Sequence, residues 1–387
     1  MSQRFQGVRR VLQLSPAAVL LLAMLVVPAW HASGQSSGQS GQESFAKLIA
    51  ELSEPSGYFD TDNLISNEKS YLHVIPELER RGVSGGVYLG VGPDQNFSYI
   101  ARTRPAVAVI VDIRRDNLLL HLLFKAIFAH APTRIEYLGL LTGRAPPENL
   151  NDDLQQWRAA DISKLMDYVE DAPRLSAGAV GGSAGSAGSG LPAPLRQTIA
   201  RFGVPLTAAD YATIAKFHQT FVSKGLSLQF QTFGRPVQSY NPTYRELLSE
   251  RDLDGRQRSF LATEDDYQFV RALQGRDRVI PVVGDFAGKQ SLAAVVAWMR
   301  MGGMRLSAFY VSNVEDYLFR GGVFAQYMAN VQALPRTPRS VVIRSVFGQG
   351  AQRTAGYRSS SSVQSLDEMI SAHAAGKYQT YSDLISD

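Results

Sequence analysis

Two glycines and one aspartate have the types and the spacing of a site for a nucleotide-like ligand. Gly90 and Gly92 end a short apolar segment, and Asp112 ends a second apolar segment twenty residues after Gly92. Glycines at a strand end permit a tight turn and close approach of a ligand to the backbone, and the next helix points its first N–H groups at that ligand. A carboxylate after the second strand is placed to accept hydrogen bonds from a ribose diol. The alternative is a turn that merely needs small residues.

Five apolar segments predict the strands that position these residues, over 83–90, 106–111, 279–283, 306–311 and 340–346. Segments with helical apolar spacing alternate with them, over 43–52, 64–81, 97–103, 117–129, 291–301 and 323–332. Uninterrupted apolar runs suit strands that are buried on both faces of a parallel sheet. The sequence therefore predicts an α/β protein with a doubly wound, mostly parallel sheet. The Gly/Ser-rich residues 349–362 predict no further strand.

A long region with few strand patterns separates the two halves of this sheet. Residues 83–131 are the first half, and residues 279–387 are the second half with a C-terminal tail. Residues 132–278 predict a large, mostly helical insertion, with helices over 152–170 and 207–223. Within it, residues 176–190 contain only Ser, Ala, Gly and one Val, a composition that predicts a flexible loop.

The first 34 residues have the order of segments of a secretory signal peptide. A basic stretch ending at Arg10 precedes an apolar run over 17–30, and small residues then lead into a polar tract. We expect cleavage after Ala29 or Gly34 and an exported, periplasmic or secreted protein. An uncleaved membrane anchor is the alternative, although the run is shorter than the about 20 residues of a membrane span. Residues 35–82 are then a polar spacer followed by N-terminal helices.

Composition excludes several classes of function. Without the first 34 residues the chain has 36 basic and 35 acidic residues, so charge gives no reason to expect a nucleic-acid partner. The chain has no cysteine, which excludes disulfides, thiolate metal sites and cysteine nucleophiles. Its histidines are scattered, so we expect no metal site. Membrane contact is expected only through the export signal.

The segment Val87-Tyr88-Leu89-Gly90-Val91-Gly92 followed by Asp112 resembles the class I S-adenosylmethionine-dependent methyltransferases, a Rossmann-like family with seven-stranded sheets. The resemblance implies that Gly90, Gly92 and Asp112 hold S-adenosylmethionine. It also implies that Asp285, after the third predicted strand, lies near the adenine. The sequence departs from the family's pattern at Tyr88, where an acid is usual, and in the length of the insertion.

The resemblance places the chemistry at the end of the fourth predicted strand. Asn313 and Glu315 follow that strand and would orient the methyl acceptor or remove its proton. Methyl transfer is an in-line displacement that depends mostly on positioning, so it requires no conspicuous nucleophile. S-adenosylmethionine is a cytoplasmic metabolite, and export would separate an enzyme from it. The alternative function is therefore a catalytically inactive, Rossmann-like ligand-binding or interaction protein of the cell envelope.

A polar stripe marks the helix that follows Asp112. Arg114, Asn117, His121 and Lys125 recur at spacings of three and four, so they share one face of that helix. Two interpretations are open. The stripe contacts a ligand or the inserted region, or it is the solvent face of an amphipathic helix.

Two further segments suggest local structure. Asp60, Asp62, Asn67 and Glu68 are expected to cap and solvate the helix that begins near residue 64. Residues 284–291 resemble a phosphate-binding loop without its magnesium-binding Ser or Thr. A helix N-terminus that accepts an anion is the remaining possibility there.

Overall fold

The computed structural model describes residues 37–175, 190–347 and 356–386. The expected signal peptide, nearly all of the expected loop at 176–190, and residues 348–355 of the C-terminal tail lie outside the described residues. Among the helices that are described, none has the length and apolar character needed to cross a membrane. The described residues from Gly41 onward form one compact unit.

A six-stranded sheet lies at the centre of this unit. Its strands are β1 (Val87–Gly90), β2 (Val107–Asp112), β3 (Val279–Val283), β4 (Leu306–Ser312), β5 (Arg336–Phe347) and β6 (Ser359–Ser365). They lie side by side in the order β3-β2-β1-β4-β5-β6. Neighbours among the first five strands are parallel, and β6 runs antiparallel to β5. The mixed α/β class with a mostly parallel sheet is thus confirmed, and so are the five predicted strands.

The prediction of no strand after residue 346 was wrong. β6 is built largely of serine, and a serine-rich composition alone does not predict a strand. Tertiary pairing compensates for the weak local preference, since β6 pairs with β5 from Ser359 to Ser365. The Ser359 hydroxyl also lies 2.9 Å from that of Ser70, in the 3-10 helix Lys69–Val74 beside the strand.

Sixteen α-helices surround the sheet in the described residues. They are α1 (Ser37–Leu52), α2 (Ile75–Arg80), α3 (Gln95–Thr103), α4 (Arg115–His130), α5 (Arg134–Thr142), α6 (Leu154–Ala159), α7 (Ile162–Asp171), α8 (Ala193–Arg201), α9 (Ala208–Lys224), α10 (Tyr244–Ser249), α11 (Glu264–Gly275), α12 (Ser291–Met301), α13 (Val314–Arg320), α14 (Phe324–Ala333), α15 (Leu366–Ala374) and α16 (Tyr381–Ser386). Seven of them, α5–α11, lie between α4 and β3 along the chain.

Two predicted helices are divided in the structure. The helix expected over 152–170 is two helices, because Asp161 begins α7 as its N-cap and accepts a hydrogen bond from the Lys164 N–H. The helix expected over 64–81 is a 3-10 helix followed by α2, which has Pro76 in its first turn. Proline lacks the N–H of a helix interior and favours a helix start.

The polar stripe on α4 is buried, so its interpretation as a solvent face was wrong. Arg114, Asn117, His121 and Lys125 are all almost inaccessible to solvent. The reason is the position of α4, which packs on β2 and β3 and is itself covered by α5, α8, α9 and α11. Buried polar groups need partners. Lys125, for example, forms a 2.7 Å ion pair with Asp277.

Candidate functional site

A crevice of about 510 Å³ lies at the carboxyl ends of the parallel strands. The chain passes from β1 to β2 on one side and later returns to place β4 on the other side of β1. In open α/β sheets ligands bind where the strand order reverses in this way. The crevice wall includes one predicted site residue at the carboxyl end of each of β1, β2, β3 and β4, namely Gly92, Asp112, Asp285 and Asn313.

Gly90 does not line the crevice, although the sequence predicts that it contacts the cofactor. A Cβ at this position would lie 2.0 Å from Asn96 Oδ1 and 2.8 Å from the ring of Tyr88. Internal packing at the end of β1 therefore requires a glycine at this position.

Glu315 also lies away from the crevice wall, so its expected contact with a methyl acceptor does not fit its position. It is 1% exposed and forms an ion pair with the buried Arg344, with Nε 2.6 Å from Oε2. The Tyr327 hydroxyl donates a further hydrogen bond of 3.3 Å to its Oε1. Both carboxylate oxygens thus have partners inside the protein, and the residue stabilises the junction of α13 with β5.

The glycine turn after β1 is held by side chains from two helices. Asn96 Nδ2 donates to the carbonyl oxygens of Val91, Gly92 and Pro93 at 2.8 to 3.2 Å, and its Oδ1 accepts from the Tyr88 hydroxyl. On the other side, His121 Nε2 donates to the Gly92 carbonyl oxygen over 2.9 Å. Burial lowers the pKa of His121 to about 4, so this histidine is neutral at neutral pH.

The backbone conformation of Gly92 explains why a glycine stands there. Its φ of +82° is in the left-handed region that residues with a side chain adopt only at a cost. Gly92 thus supplies both the turn and part of the crevice wall, which agrees with its predicted position.

Asp112 lines the crevice, and its carboxylate is bonded to Arg114. Oδ1 accepts from the backbone N–H of Arg114 at 2.9 Å and from Nε at 3.2 Å, while Oδ2 accepts from Nη2 at 3.2 Å. The same guanidinium donates to the carbonyl oxygens of Thr61 and Asp62. Asp112 therefore has a structural partner as well as a position at the crevice, and through Arg114 it links β2 to the N-terminal residues Thr61 and Asp62.

Asp285 lies at the crevice in a turn that is organised by Glu54. The Glu54 carboxylate accepts hydrogen bonds from the backbone N–H groups of Asp285 at 2.6 Å and Ser291 at 3.2 Å. Ser291 is the first residue of α12, so the anion at this helix N-terminus is a carboxylate of the chain itself. The phosphate-like segment at 284–291 is thus internally satisfied.

Glu68 is the crevice residue that the sequence analysis missed. It was expected to cap and solvate a helix, yet it is 1% exposed and makes no side-chain cap. The Tyr310 and Ser345 hydroxyls both donate to Oε2 at 2.5 Å, and the Ser312 hydroxyl donates to Oε1. No salt bridge joins Glu68 to a basic side chain in the part of the chain that the structure describes. Burial raises the pKa of Glu68.

A sequence signal for this burial exists. Glu68 follows Leu64 by four residues and precedes Leu72 by four and Ile75 by seven, so it occupies an apolar position in a helical pattern. An acid at such a position is either misplaced or functional. The adjoining Ser312 supports a special environment, since its φ of +54° is unusual for a residue other than glycine.

Two segments that are distant in sequence cover the crevice. Residues 59–63 pair with residues 230–233 through the bridge between Thr61 and Thr232. Phe59 lines the crevice and packs edge-to-face on Tyr317 with ring centroids 5.0 Å apart, whereas Tyr58 is 78% exposed. Arg235 adds a positive charge at the crevice wall.

Two buried polar atoms of the crevice walls have no hydrogen-bond partner, Thr61 Oγ1 and Gln95 Oε1. Such atoms are costly when they are isolated, and a bound ligand would satisfy them. Metal binding finds no comparable support, because the described residues contain no cluster of three or more His, Asp and Glu side chains suited to a metal ion.

Comparison with known proteins identifies the family. The family DUF7790, described as a domain of unknown function, matches residues 63–151 and 215–385. The chain belongs to this family. The DUF7790 match contains all six strands and the crevice residues Glu68, Gly92, Asp112, Asp285 and Asn313. Residues 152–214 lie outside the match. No curated protein matches the chain.

Proposed function

We propose that the crevice binds an adenosyl-type ligand, S-adenosylmethionine or a close relative, on a methyltransferase-like sheet. The observation that carries the proposal is the meeting of Gly92, Asp112, Asp285 and Asn313 in one crevice. They lie at the carboxyl ends of four different strands, and the crevice lies at the reversal of strand order. Asp112 would accept hydrogen bonds from the ribose hydroxyls and Asp285 would lie near the base. Export remains a further proposal that rests on residues 1–34.

Methyl transfer to an unknown acceptor is the reaction that we propose for this site. The methyl carbon would leave the sulfonium sulfur as its bond to the acceptor atom forms, and the sulfur would keep the bonding electron pair. Asn313, at the N-terminus of α13, would orient the acceptor. Catalysis would come from alignment of the two reactants in the crevice.

A binding protein without methyl transfer is the second candidate. Two observations favour it. The Asp112 carboxylate already has hydrogen bonds from Arg114, and Glu315 is withdrawn into an ion pair with Arg344. Neither candidate involves nucleic acid.

Calorimetry of the mature protein with S-adenosylmethionine, S-adenosylhomocysteine and NAD tests the proposal. We expect the two adenosyl compounds to bind and Gly92→Ala to weaken them by at least about tenfold, because a side chain at positive φ displaces the turn. Gly303→Ala is the matched control, since Gly303 has φ +62° and no atom within 4 Å of an added Cβ.

The two glycine variants separate a local effect from a loss of stability. Both should lose stability because of the positive φ, Gly92→Ala by somewhat more because its Cβ lies 3.2 Å from Gln95 Nε2, and only Gly92→Ala should lose affinity. A wild-type protein that binds no adenosyl compound would overturn the proposed function. Equal affinity of the two variants for the adenosyl compounds would show that these compounds do not bind at this turn. Single-turnover assays with methyl-labelled S-adenosylmethionine would then distinguish the enzyme from the binding protein.

A further inference from the structure

Two hydrogen-bond acceptors lie together at one end of the crevice. Glu68 and Gln95 both line it, and the Tyr310 hydroxyl joins them. This hydroxyl accepts from Gln95 Nε2 at 3.2 Å and donates to Glu68 Oε2 at 2.5 Å. The Gln95 amide is thereby oriented, and its Oε1 is left buried without a partner. A ligand that fits these acceptors must bring N–H or O–H donors.

The charge of Glu68 is not compensated by the groups around it. The titratable side chains that interact with it are phenols from β1, α3, β4 and α16, namely Tyr88, Tyr99, Tyr310 and Tyr381. Burial raises the pKa of each phenol, so all four are neutral at physiological pH. The nearby Arg344 is already paired with Glu315. A buried carboxylate without a counter-ion is costly, and a cation from outside would remove that cost.

We propose that this end of the crevice is a subsite for a primary ammonium group of the ligand, which pairs with the Glu68 carboxylate and donates to Gln95 Oε1. The ammonium group is compact and carries three donors, enough for both acceptors and one more. A divalent metal is a poorer occupant because it needs about six oxygen ligands. The inference rests on the proposed function only in that the amine belongs to the ligand of the crevice.

A pair of small probes tests the subsite directly. Thermal unfolding is measured with n-butylamine and with 1-butanol at equal ionic strength. The amine should raise the melting temperature of the wild type and of Glu148→Gln, a control at an exposed glutamate. It should not raise that of Glu68→Gln, and the alcohol should act equally on all three. Equal responses of the wild type and Glu68→Gln to the amine would overturn the subsite.

A pair of nucleosides connects the subsite to the proposed function. S-adenosylhomocysteine has an ammonium group and a carboxylate, and 5′-methylthioadenosine lacks both. The wild type and Glu148→Gln should bind the former at least about tenfold more tightly, the value of one charge-assisted hydrogen bond, and Glu68→Gln should have a smaller preference. Equal affinities would overturn the subsite and leave the proposed function standing. If neither nucleoside binds while butylamine still discriminates, the proposed function fails and the subsite stands.

A wild-type measurement covers the case in which Glu68→Gln does not fold. Burial raises the pKa of Glu68, so its carboxylate becomes neutral at a higher pH than an ordinary glutamate. The amine stays charged throughout. Amine affinity should therefore fall as the pH is lowered from 8 to 4, while that of 1-butanol stays constant. An amine affinity that does not change over this range would overturn the subsite.

Discussion

Two buried glutamates show how contacts decide the role of a side chain. Glu315 was expected in the site, yet it pairs with Arg344 inside the protein. Glu68 was expected in solvent, yet it lies on the crevice wall with hydroxyl donors and no cation. A paired buried carboxylate stabilises the fold, whereas an unpaired one beside a cavity is available to a ligand.

At this scale we predict that Glu315→Gln destabilises the protein by about 3 kcal/mol, because it leaves the Arg344 guanidinium buried without its counter-ion. Urea unfolding measures the change. Asp316→Asn is the matched control, since the partner of Asp316, Arg320, is 70% exposed and such pairs contribute about 1 kcal/mol or less. Equal, small losses in both variants would contradict a structural role for Glu315.

Among the elements, α4 and the glycine turn form one unit. His121 of α4 donates to the Gly92 carbonyl oxygen, and Arg114 before α4 bonds to Asp112. The ends of β1 and β2 at the crevice are thus both held by residues of the polar stripe. These contacts account for the buried polar side chains of Arg114 and His121.

The pH dependence of stability reports the contact of α4 with the turn. The pKa of His121 is about 4 in the folded protein and 6.5 ordinarily, so the unfolded chain binds more protons between these values. The contribution of His121 to stability is complete above pH 6.5 and falls as the pH is lowered to 4, by at most about 3 kcal/mol. His121→Gln should remove this fall.

Urea unfolding of the wild type and His121→Gln at several pH values measures the difference. Asp94 has the opposite effect, because burial raises its pKa to about 6 and its stabilising contribution is lost as the pH rises from 3.8 through 6. Asp94 is present in both proteins, so its effect cancels in the difference. Parallel pH profiles would show that His121 does not titrate as its burial implies.

For the whole molecule, the crevice joins segments that are far apart in sequence. Its floor comes from the ends of four strands, and its cover comes from residues 59–63 and 230–233. These covering segments are tied to one another and to Arg114 by hydrogen bonds of the backbone and of the guanidinium. A ligand between floor and cover would stabilise both together.

We therefore predict that a bound ligand slows amide hydrogen exchange in 59–63 and 230–233. A ligand at 100 times its dissociation constant stabilises the folded state by about 2.7 kcal/mol, and the effect concentrates where binding restricts local opening. Exchange with and without S-adenosylhomocysteine, followed by mass spectrometry, measures it. Helix α15 lies outside the crevice and serves as the internal control. Protection of α15 without protection of the cover would place the ligand elsewhere.

The sequence by itself determined the features that depend on local chemistry. Apolar runs and helical spacing predicted the five parallel strands, and the glycine turn and Asp112 were placed at the ends of β1 and β2. The carboxyl ends of parallel strands lie at the same edge of a sheet, so the sequence alone predicts that residues at these ends lie close together. The sequence did not predict the serine-rich β6, because pairing with β5, rather than local preference, makes it a strand.

Only the tertiary structure decided which polar groups have partners. Arg344 follows Glu315 by 29 residues and Tyr310 follows Glu68 by 242, and no local pattern reveals either contact. Burial of the α4 stripe likewise depends on α8, α9 and α11, which lie far from α4 in the sequence. The free energy of a charged group is set by its surroundings after folding, so the same residue type became an internal ion pair at Glu315 and a hydroxyl-bonded carboxylate without a counter-ion at Glu68.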